Sequence, residues 1–260
     1  MAPTVSFLLI IFISTISYIS SESVIRFPSE KDLSGRFHKV RAEDDLYCDS
    51  WRLAVETNNI GPWKSVPARC VNFVAKYMGG ERYSSDSKVV GKVSSAFAES
   101  VELDGDGRDA WVFDIDETLL SNLPYYENNG FGKEIFNETS FNDWVDKAEA
   151  PALAASLDLY NELLELGFKI FLLTGRSEHQ RNATETNLLL AGYDKWERLI
   201  LRGSSDQGKL AIIYKSEKRA QLVEEGYRIH GSSGDQWSDL WGHAVASRSF
   251  KLPNPMYYIP

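Results

Sequence analysis

The sequence is poor in cysteine, in positive charge and in long apolar runs, and each shortage narrows what the chain can be. Two cysteines among 260 residues allow at most one internal disulfide. The formal net charge is −9, with 28 Lys and Arg against 37 Asp and Glu. Because phosphate backbones are bound mainly by Lys and Arg, this balance argues against nucleic-acid partners. No segment after the first 21 residues is long and apolar enough to span a membrane.

The first 21 residues differ from the rest of the chain. Residues 5–19 are almost entirely apolar, residues 1–21 carry no charged side chain, and small serines follow at Ser20, Ser21 and Ser23. This pattern predicts a secretory signal peptide over residues 1–21, although its first part has no Lys or Arg. The alternative is an uncleaved membrane anchor, for which the run is short and lacks basic flanks. We therefore expect entry into the secretory pathway and no membrane contact after cleavage.

Secretion bears on two further features of the sequence. In an oxidising compartment Cys48 and Cys70 are expected to form a disulfide, the alternative being two buried thiols. Asn137 and Asn182 each begin an Asn-x-Thr sequon and are candidate glycosylation sites. Asn182 falls in a predicted helix, so Asn137 is the better candidate of the two.

Residues 110–260 alternate between short apolar runs and helical patterns. The apolar runs have the length of buried strands and occur at 110–113, 168–173, 199–201 and 227–230. Three predicted helices each stop at a glycine, namely Gly167, Gly192 or Gly226, and a strand follows each one. This order predicts an α/β fold with a doubly wound parallel sheet. In such sheets ligands bind beyond the carboxyl ends of the strands.

Two regions lie outside this alternation. Residues 22–109 contain three helical stretches, at about 50–58, 66–78 and 87–99, and are expected to form a helical region packed on the core. Residues 121–150 follow the first strand directly, and this position predicts a small, mainly helical cap over the site. Its aromatic residues are expected to form a rim that accepts varied leaving groups: Tyr125, Tyr126, Phe131 and Trp144.

The sharpest motif is Asp114-Ile115-Asp116-Glu117-Thr118, which directly follows the first strand. Residues i and i+2 share one side of an extended chain, so Asp114 and Asp116 are expected to face a common ligand. Two close carboxylates repel each other unless a cation or a shared proton relieves them. The alternative is a solvated acidic turn, which does not explain the apolar strand that leads into the motif.

A second acidic pair, Asp235 and Asp239, has the i, i+4 spacing that places both side chains on one face of a helical turn. It follows the fourth strand and a Gly-Ser-Ser-Gly segment at 231–234, which the sequence predicts to be flexible. An Asp at a helix N-cap would look similar. Oxygen ligands of this kind favour Mg²⁺ over zinc.

Hydroxyl, amide and cationic groups complete the set. Thr174 and Gly175 lie between the second strand and a helix with a predicted capping box at Ser177, a junction that suits a phosphoryl group. Lys215 precedes Ser216, the predicted N-cap of the next helix, and from there it would reach the same oxygens. For any single lysine the alternative is a solvated surface charge.

Together these pieces resemble the four motifs of the haloacid dehalogenase superfamily in chain order: Asp114-x-Asp116-x-Thr118, Thr174, Lys215, and the Asp235/Asp239 pair. Longer stretches resemble the plant class B acid phosphatases, a group that includes the vegetative storage proteins: CDSWRLAVETNN at 48–59, FDIDETLLSNLPYY at 113–126, LLTGR at 172–176 and GDQWSDL at 234–240. The resemblance covers essentially the whole chain after the predicted signal peptide.

The resemblance implies a two-step, Mg²⁺-dependent hydrolysis of small phosphate monoesters at acid pH, in the cell wall, the extracellular space or the vacuole. It implies Asp114 as nucleophile and Asp116 as acid and base. It implies phosphoryl contacts from Thr118, Thr174, Gly175 and Lys215. It implies metal ligands from Asp114, the Asp116 carbonyl, Asp235 and Asp239. A storage protein with weak or incidental phosphatase activity is the alternative, and the intact site residues favour the enzyme. Oligomeric state stays open, a homodimer being the commonest assembly.

Overall fold

The computed structural model describes residues 43–260, so the predicted signal peptide at 1–21 lies outside the described residues. The described strands are β1 (Asp109–Phe113), β2 (Lys169–Ser177), β3 (Arg198–Arg202), β4 (Arg228–Gly234) and β5 (Arg248–Lys251). The described α-helices are α1 (Glu43–Glu56), α2 (Val71–Met78), α3 (Glu81–Glu99), α4 (Leu123–Asn128), α5 (Glu138–Val145), α6 (Ala154–Leu166), α7 (Arg181–Leu190), α8 (Ala211–Glu224) and α9 (Trp237–Leu240). Within 43–260, no helix combines the length and apolar character that crossing a bilayer requires.

The strands form a parallel sheet in the order β3-β2-β1-β4-β5. The central strand β1 is buried along its whole length, and its side chains alternate between two apolar clusters. Trp111 and Phe113 pack on one face with residues of α3 and α6, whereas Ala110 and Val112 pack on the other face with Tyr214 of α8. Helices therefore cover both faces, and the predicted α/β fold with a doubly wound parallel sheet is confirmed.

The predicted glycine stops are where helices turn back into the sheet. Helix α6 ends before Gly167, whose φ of 98° lies in the left-handed region that a residue without Cβ adopts at little cost. The amide of Phe168 donates to the carbonyl of Leu163 across this turn, and β2 begins one residue later. Helices α7 and α8 end in the same manner just before Gly192 and Gly226.

Helix α8 begins at Ala211, so the prediction that Ser216 caps this helix is wrong. Ala211, Tyr214 and Lys215 are buried while Ile213 is exposed, and this is the spacing of a helix with one buried face. Ser216 is fully buried inside the helix, where its hydroxyl donates to a backbone carbonyl. Lys215 therefore extends from the second turn of a helix rather than from a strand-to-helix junction.

Strand β4 continues to Gly234, so the segment 231–234 is not the flexible link that the sequence predicted. Its small residues leave room for larger neighbours. A Cβ on Gly231 would lie 2.4 Å from the ring of Trp111, and one on Gly234 would lie 2.4 Å from Cβ of Asp239. The same segment pairs with β5, a strand that the sequence analysis did not predict.

Helices α1 to α3 fall within the predicted helical region 22–109, and α4 and α5 fall within the predicted cap at 121–150. The predicted disulfide between Cys48 and Cys70 is present, with the two Cα atoms 5.3 Å apart, and it ties α1 to the turn before α2. These helices share an apolar cluster with α4 and with Met256, which follows β5. The boundaries of both regions remain predictions.

Candidate active site

The acidic motif after β1 forms a tight loop at the carboxyl edge of the sheet. The amide of Asp114 donates to the carbonyl of Ser233 in β4 at 2.9 Å, which extends the β1–β4 pairing by one residue. The carbonyl of Ile115 then accepts from the amides of Thr118, Leu119 and Leu120 at 2.9–3.2 Å. Because Ile115 is fully buried, it anchors the loop and fixes the residues on either side of it.

Lys215 lies between two buried carboxylates. Its Nζ is 2.5 Å from Oδ1 of Asp114 and also contacts Oδ1 of Asp239, and all three side chains are 5–6% exposed. Burial and the nearby Asp239 raise the pKa of Asp114 well above its usual range, and the ammonium of Lys215 opposes this rise only in part. Burial lowers the pKa of Lys215, but the two carboxylates outweigh it and the net direction is upward. One ammonium therefore forms ion pairs with two buried carboxylates.

Asp235 joins these two aspartates in a cluster that can hold a metal ion. One carboxylate oxygen from each of Asp114, Asp235 and Asp239 lies within 4.8 Å of the others. Burial, Asp239 and Glu117 raise the pKa of Asp235 to about 8. Its Oδ1 is buried and has no hydrogen-bond partner in the described part of the chain. Three carboxylates with an orphaned oxygen are a donor set that fits a hard divalent cation such as Mg²⁺.

The carboxylate of Asp116 is held apart from this cluster by Arg176. Nη2 of Arg176 lies 2.7 Å from Oδ1 of Asp116, and Nε lies 3.2 Å from both oxygens. Nδ2 of the Asn122 side chain donates to Oδ1 at 2.8 Å. Burial raises the pKa of Asp116, but the charge and hydrogen bonds of Arg176 outweigh burial and the pKa is lowered. Asp114 and Asp116 thus lie in opposite electrostatic environments.

The other predicted phosphoryl contacts lie close by in the chain. Thr174 is fully buried, and its hydroxyl accepts from the amide of Arg176 at 3.1 Å. Gly175 is exposed, and no heavy atom lies near the position that a Cβ would occupy. The predicted capping box at Ser177 is present. Thr118 is fully buried, and its hydroxyl has no partner among the described residues.

The site also contains two groups for which the sequence motifs predict no role, Glu117 and Tyr257. Glu117 is fully buried, and burial and Asp116 raise its pKa to about 8. It accepts a hydrogen bond from the amide of Asn122 at 2.6 Å and another from the hydroxyl of Tyr257. Glu117 lies inside the acidic motif at 114–118, so its place in the sequence could have indicated that it belongs to the site. Tyr257 lies 140 residues further along the chain, and no local pattern connects the two.

A cavity of about 410 Å³ opens beside Asp116, Gly175 and Arg176. Its aromatic lining consists of Tyr126, Phe136, Phe141, Tyr257 and Tyr258. Of the four residues predicted to form an aromatic rim, Tyr126 lines this cavity. Tyr125 and Phe131 pack in the cluster around α1 and α2, and the indole of Trp144 donates to Asn122 at 2.9 Å. The cavity walls instead come partly from the segment that follows β5.

The candidate glycosylation sites differ in their surroundings. Asn137 is exposed at the N-cap of α5, where its side-chain oxygen accepts from the amide of Ser140 at 3.1 Å. Asn182 is also exposed, on α7, but Thr184 of the same sequon is fully buried and accepts from Arg176. Both positions remain predictions.

Comparison with known proteins supplies a family context for this geometry. The family model described as HAD superfamily, subfamily IIIB (Acid phosphatase) matches residues 34–260. The chain is 52% identical to Acid phosphatase 1 of Solanum lycopersicum over 241 residues, covering 93% of this chain and 94% of that protein. It is 36% identical to Vegetative storage protein 1 of Arabidopsis thaliana, covering 97% of each. The class C acid phosphatase from Bacillus anthracis shares the fold, with a TM-score of 0.62, 23% identity and coverage of 72% of this chain and 85% of that one.

Proposed function

The chain belongs to subfamily IIIB of the haloacid dehalogenase (HAD) superfamily, the acid phosphatases, and on that premise we propose that it is a secreted enzyme that hydrolyses phosphate monoesters through an aspartyl-phosphate. One geometric feature carries this proposal. Buried Asp114 contacts Lys215 within a three-aspartate cluster, while the loop that bears it holds Asp116 against Arg176. A nucleophile and a separate acid and base are the two groups that this chemistry needs from carboxylates.

In the first step a carboxylate oxygen of Asp114 attacks phosphorus, and the bond from phosphorus to the ester oxygen breaks. The ammonium of Lys215 contacts Asp114, favours its ionised form against the effect of burial, and offsets charge on the phosphoryl oxygens. Thr174 and Gly175, at the end of β2 near Arg176, supply hydroxyl and amide donors to the same oxygens. Thr118 is buried in the loop, and its backbone amide, which donates to the carbonyl of Ile115, helps to position that loop.

Asp116 moves the protons in both steps. Its side chain is 18% exposed and lines the cavity, so it can reach a leaving oxygen there. Acid pH opposes the lowering of the Asp116 pKa by Arg176, and the protonated form donates its proton to the leaving oxygen. The resulting carboxylate takes a proton from the water that attacks the phosphorus of the aspartyl-phosphate, which restores the protonated form. That attack releases inorganic phosphate and restores Asp114. Arg176 holds the carboxylate in one orientation throughout.

Asp114, Asp235 and Asp239, with the Asp116 backbone carbonyl, would hold Mg²⁺. Bound there, the cation would offset the charge of the carboxylates and of the phosphoryl group. The apolar and aromatic lining of the cavity supports broad acceptance of monoester leaving groups. Comparable catalytic efficiency across several monoesters is expected, and a preference of several orders of magnitude for one of them would contradict this.

The test is phosphate release from an aryl phosphate at mildly acidic pH, with wild type and Asp114→Asn each assayed with magnesium and with chelator. Turnover by wild type that disappears in the variant and in the chelated sample is the expected result. Activity that survives in Asp114→Asn would remove the proposed nucleophile. A folded wild type without activity on several monoesters would favour the storage function, to which the relationship with Vegetative storage protein 1 gives independent support.

A further inference from the structure

Asp235 is held by two side-chain amides, one of which comes from a distant part of the chain. Nε2 of Gln236 and Nδ2 of Asn254 each donate to Oδ2 of Asp235 at 2.7 Å. Oδ1 of the same carboxylate is buried and lacks a partner among the described residues. The two oxygens therefore differ: one is occupied by amide donors, and the other is left for a ligand that these residues do not provide.

Asn254 is itself fixed from both sides. It is 1% exposed, and its Oδ1 accepts from the amide of Met256 at 2.9 Å. With the oxygen engaged in this way, the amide nitrogen has to face Asp235. The segment 252–260 that carries Asn254 is anchored on the sheet and on the loop before α9. The amide of Leu252 donates to Gly234 at 2.9 Å, and the amide of Ile259 donates to Gln236 at 3.0 Å.

We propose that Asn254 is a positioning residue for the cation site, and that with Gln236 it presents Oδ1 of Asp235 to a bound divalent cation. A carboxylate without these donors can rotate and exchange its two oxygens, which makes cation binding less favourable. Neutral amides suit the task because they orient the carboxylate without adding charge to a cluster that already has three carboxylates. The inference rests on the Mg²⁺ site of the proposed function.

The competing explanation is that Asn254 only shapes the turn that leads to Met256. Two variants separate these roles. Asn254→Asp keeps an oxygen to accept from Met256 but loses the donor to Asp235, and Asn254→Ala loses both. Lys251→Met is the matched control, because Lys251 anchors the start of the same segment to Glu56 at 2.7 Å and does not contact Asp235.

The measurement is the Mg²⁺ dissociation constant, obtained without substrate from the rise of the melting temperature with Mg²⁺ concentration. Activation by Mg²⁺ in the phosphatase assay provides a second value. Both Asn254 variants are expected to raise the constant about 10- to 100-fold, the usual effect of losing a group that orients a metal ligand. At saturating Mg²⁺, kcat should stay near the wild-type value. Lys251→Met should bind Mg²⁺ like wild type.

An unchanged or lower dissociation constant in either folded Asn254 variant overturns the proposal, as does a wild type whose melting temperature does not respond to Mg²⁺. A fall in kcat with an unchanged constant would assign the segment to substrate contacts instead. Because the thermal measurement needs no turnover, it separates this inference from the proposed function. Wild type that binds Mg²⁺ but releases no phosphate would leave the positioning role intact and reject the phosphatase.

Discussion

The guanidinium of Arg176 binds the carboxylate of Asp116 through two nitrogens, with Nε at 3.2 Å and Nη2 at 2.7 Å. Arg176 is buried, and its Nη1 donates to the hydroxyl of Thr184 at 3.2 Å, so the guanidinium is itself held in place. A lysine offers a single ammonium at this position and cannot reproduce the planar, two-point contact.

We expect Arg176→Lys to lower kcat about 10- to 100-fold, since a hydrogen bond to a charged group is worth roughly 1.5–3 kcal/mol and Asp116 would lose its fixed orientation. Steady-state kinetics on an aryl phosphate measures this. Arg181→Lys is the control, because Arg181 pairs with Glu178 and Glu185 on the exterior. A kcat in Arg176→Lys equal to that of the control would show that the ion pair does not orient Asp116.

Lys215→Met should lower the free energy of unfolding, because it leaves the buried carboxylates of Asp114 and Asp239 without the ammonium that contacts both. Removing one partner of a buried ion pair costs about 3–5 kcal/mol of unfolding free energy. Urea unfolding without Mg²⁺ should show this loss, Mg²⁺ should recover part of it, and activity should fall to background.

Lys218→Met is the matched control on the same helix, since Lys218 pairs with Asp206 at 3.0 Å and lies outside the aspartate cluster. This variant should retain activity. If Lys215→Met were as stable as wild type in the absence of Mg²⁺, the ammonium would not be relieving repulsion between the two carboxylates.

The disulfide between Cys48 and Cys70 closes a loop with a sequence separation of 22. Its removal in the double variant Cys48→Ser, Cys70→Ser should lower the free energy of unfolding by about 2–4 kcal/mol, chiefly because the unfolded chain gains freedom. Chemical denaturation of the variant and of wild type, with and without a reducing agent, tests this. Reduced wild type should match the variant, and equal stability of all samples would contradict the expectation.

Asp109 lies at the start of β1, at the edge of the sheet opposite the site, and it makes the free energy of unfolding depend on pH in the acid range. Nε of Arg228 at 2.9 Å and Nε2 of His230 at 2.8 Å lower the pKa of its buried carboxyl from 3.8 to about 2. A lowered pKa contributes stability above the unfolded value of 3.8, and this is lost as the pH falls towards 2. The contribution is about 2 kcal/mol, at 1.36 kcal/mol for each unit.

The variant Asp109→Asn should therefore be less stable than wild type at pH 6, and the difference should shrink between pH 4 and pH 2. Urea midpoints measured across this range supply the test. Asp106→Asn, which removes a more exposed carboxylate that also contacts Arg228, should change stability less. A difference between Asp109→Asn and wild type that stays constant from pH 6 to pH 3 would argue against the linkage.

Local patterns predicted strands β1 to β4 and the glycines at which three helices end, but not β5. Gly167 ends a helix because the chain needs a left-handed residue there, and this requirement is visible in the sequence. The start of α8 was misplaced because the apolar run LAIIY at 210–214, directly before Lys215, fits a strand or a helix face equally well. Burial of Tyr214 and Lys215 beside exposed Ile213 identifies the helix, and this contrast exists only after packing.

Contacts between residues far apart in the chain could not be predicted from local sequence patterns. The bond from Tyr257 to Glu117 and the bond from Asn254 to Asp235 depend on where the segment after β5 returns to the sheet. The ion pair between Arg176 and Asp116 joins two recognised motifs, but their spacing along the chain does not specify the contact. Such partners become visible when the strands are placed side by side.

The narrow fit at Gly234 has an evolutionary consequence. A single added methyl group there would collide with Asp239 and displace it, although no carboxylate would have been altered. A related chain with a larger residue at this position is therefore expected to lose turnover while keeping every acidic residue of the motifs. The integrity of the site therefore depends on the small residue that leaves space for Asp239 as well as on the acidic residues themselves.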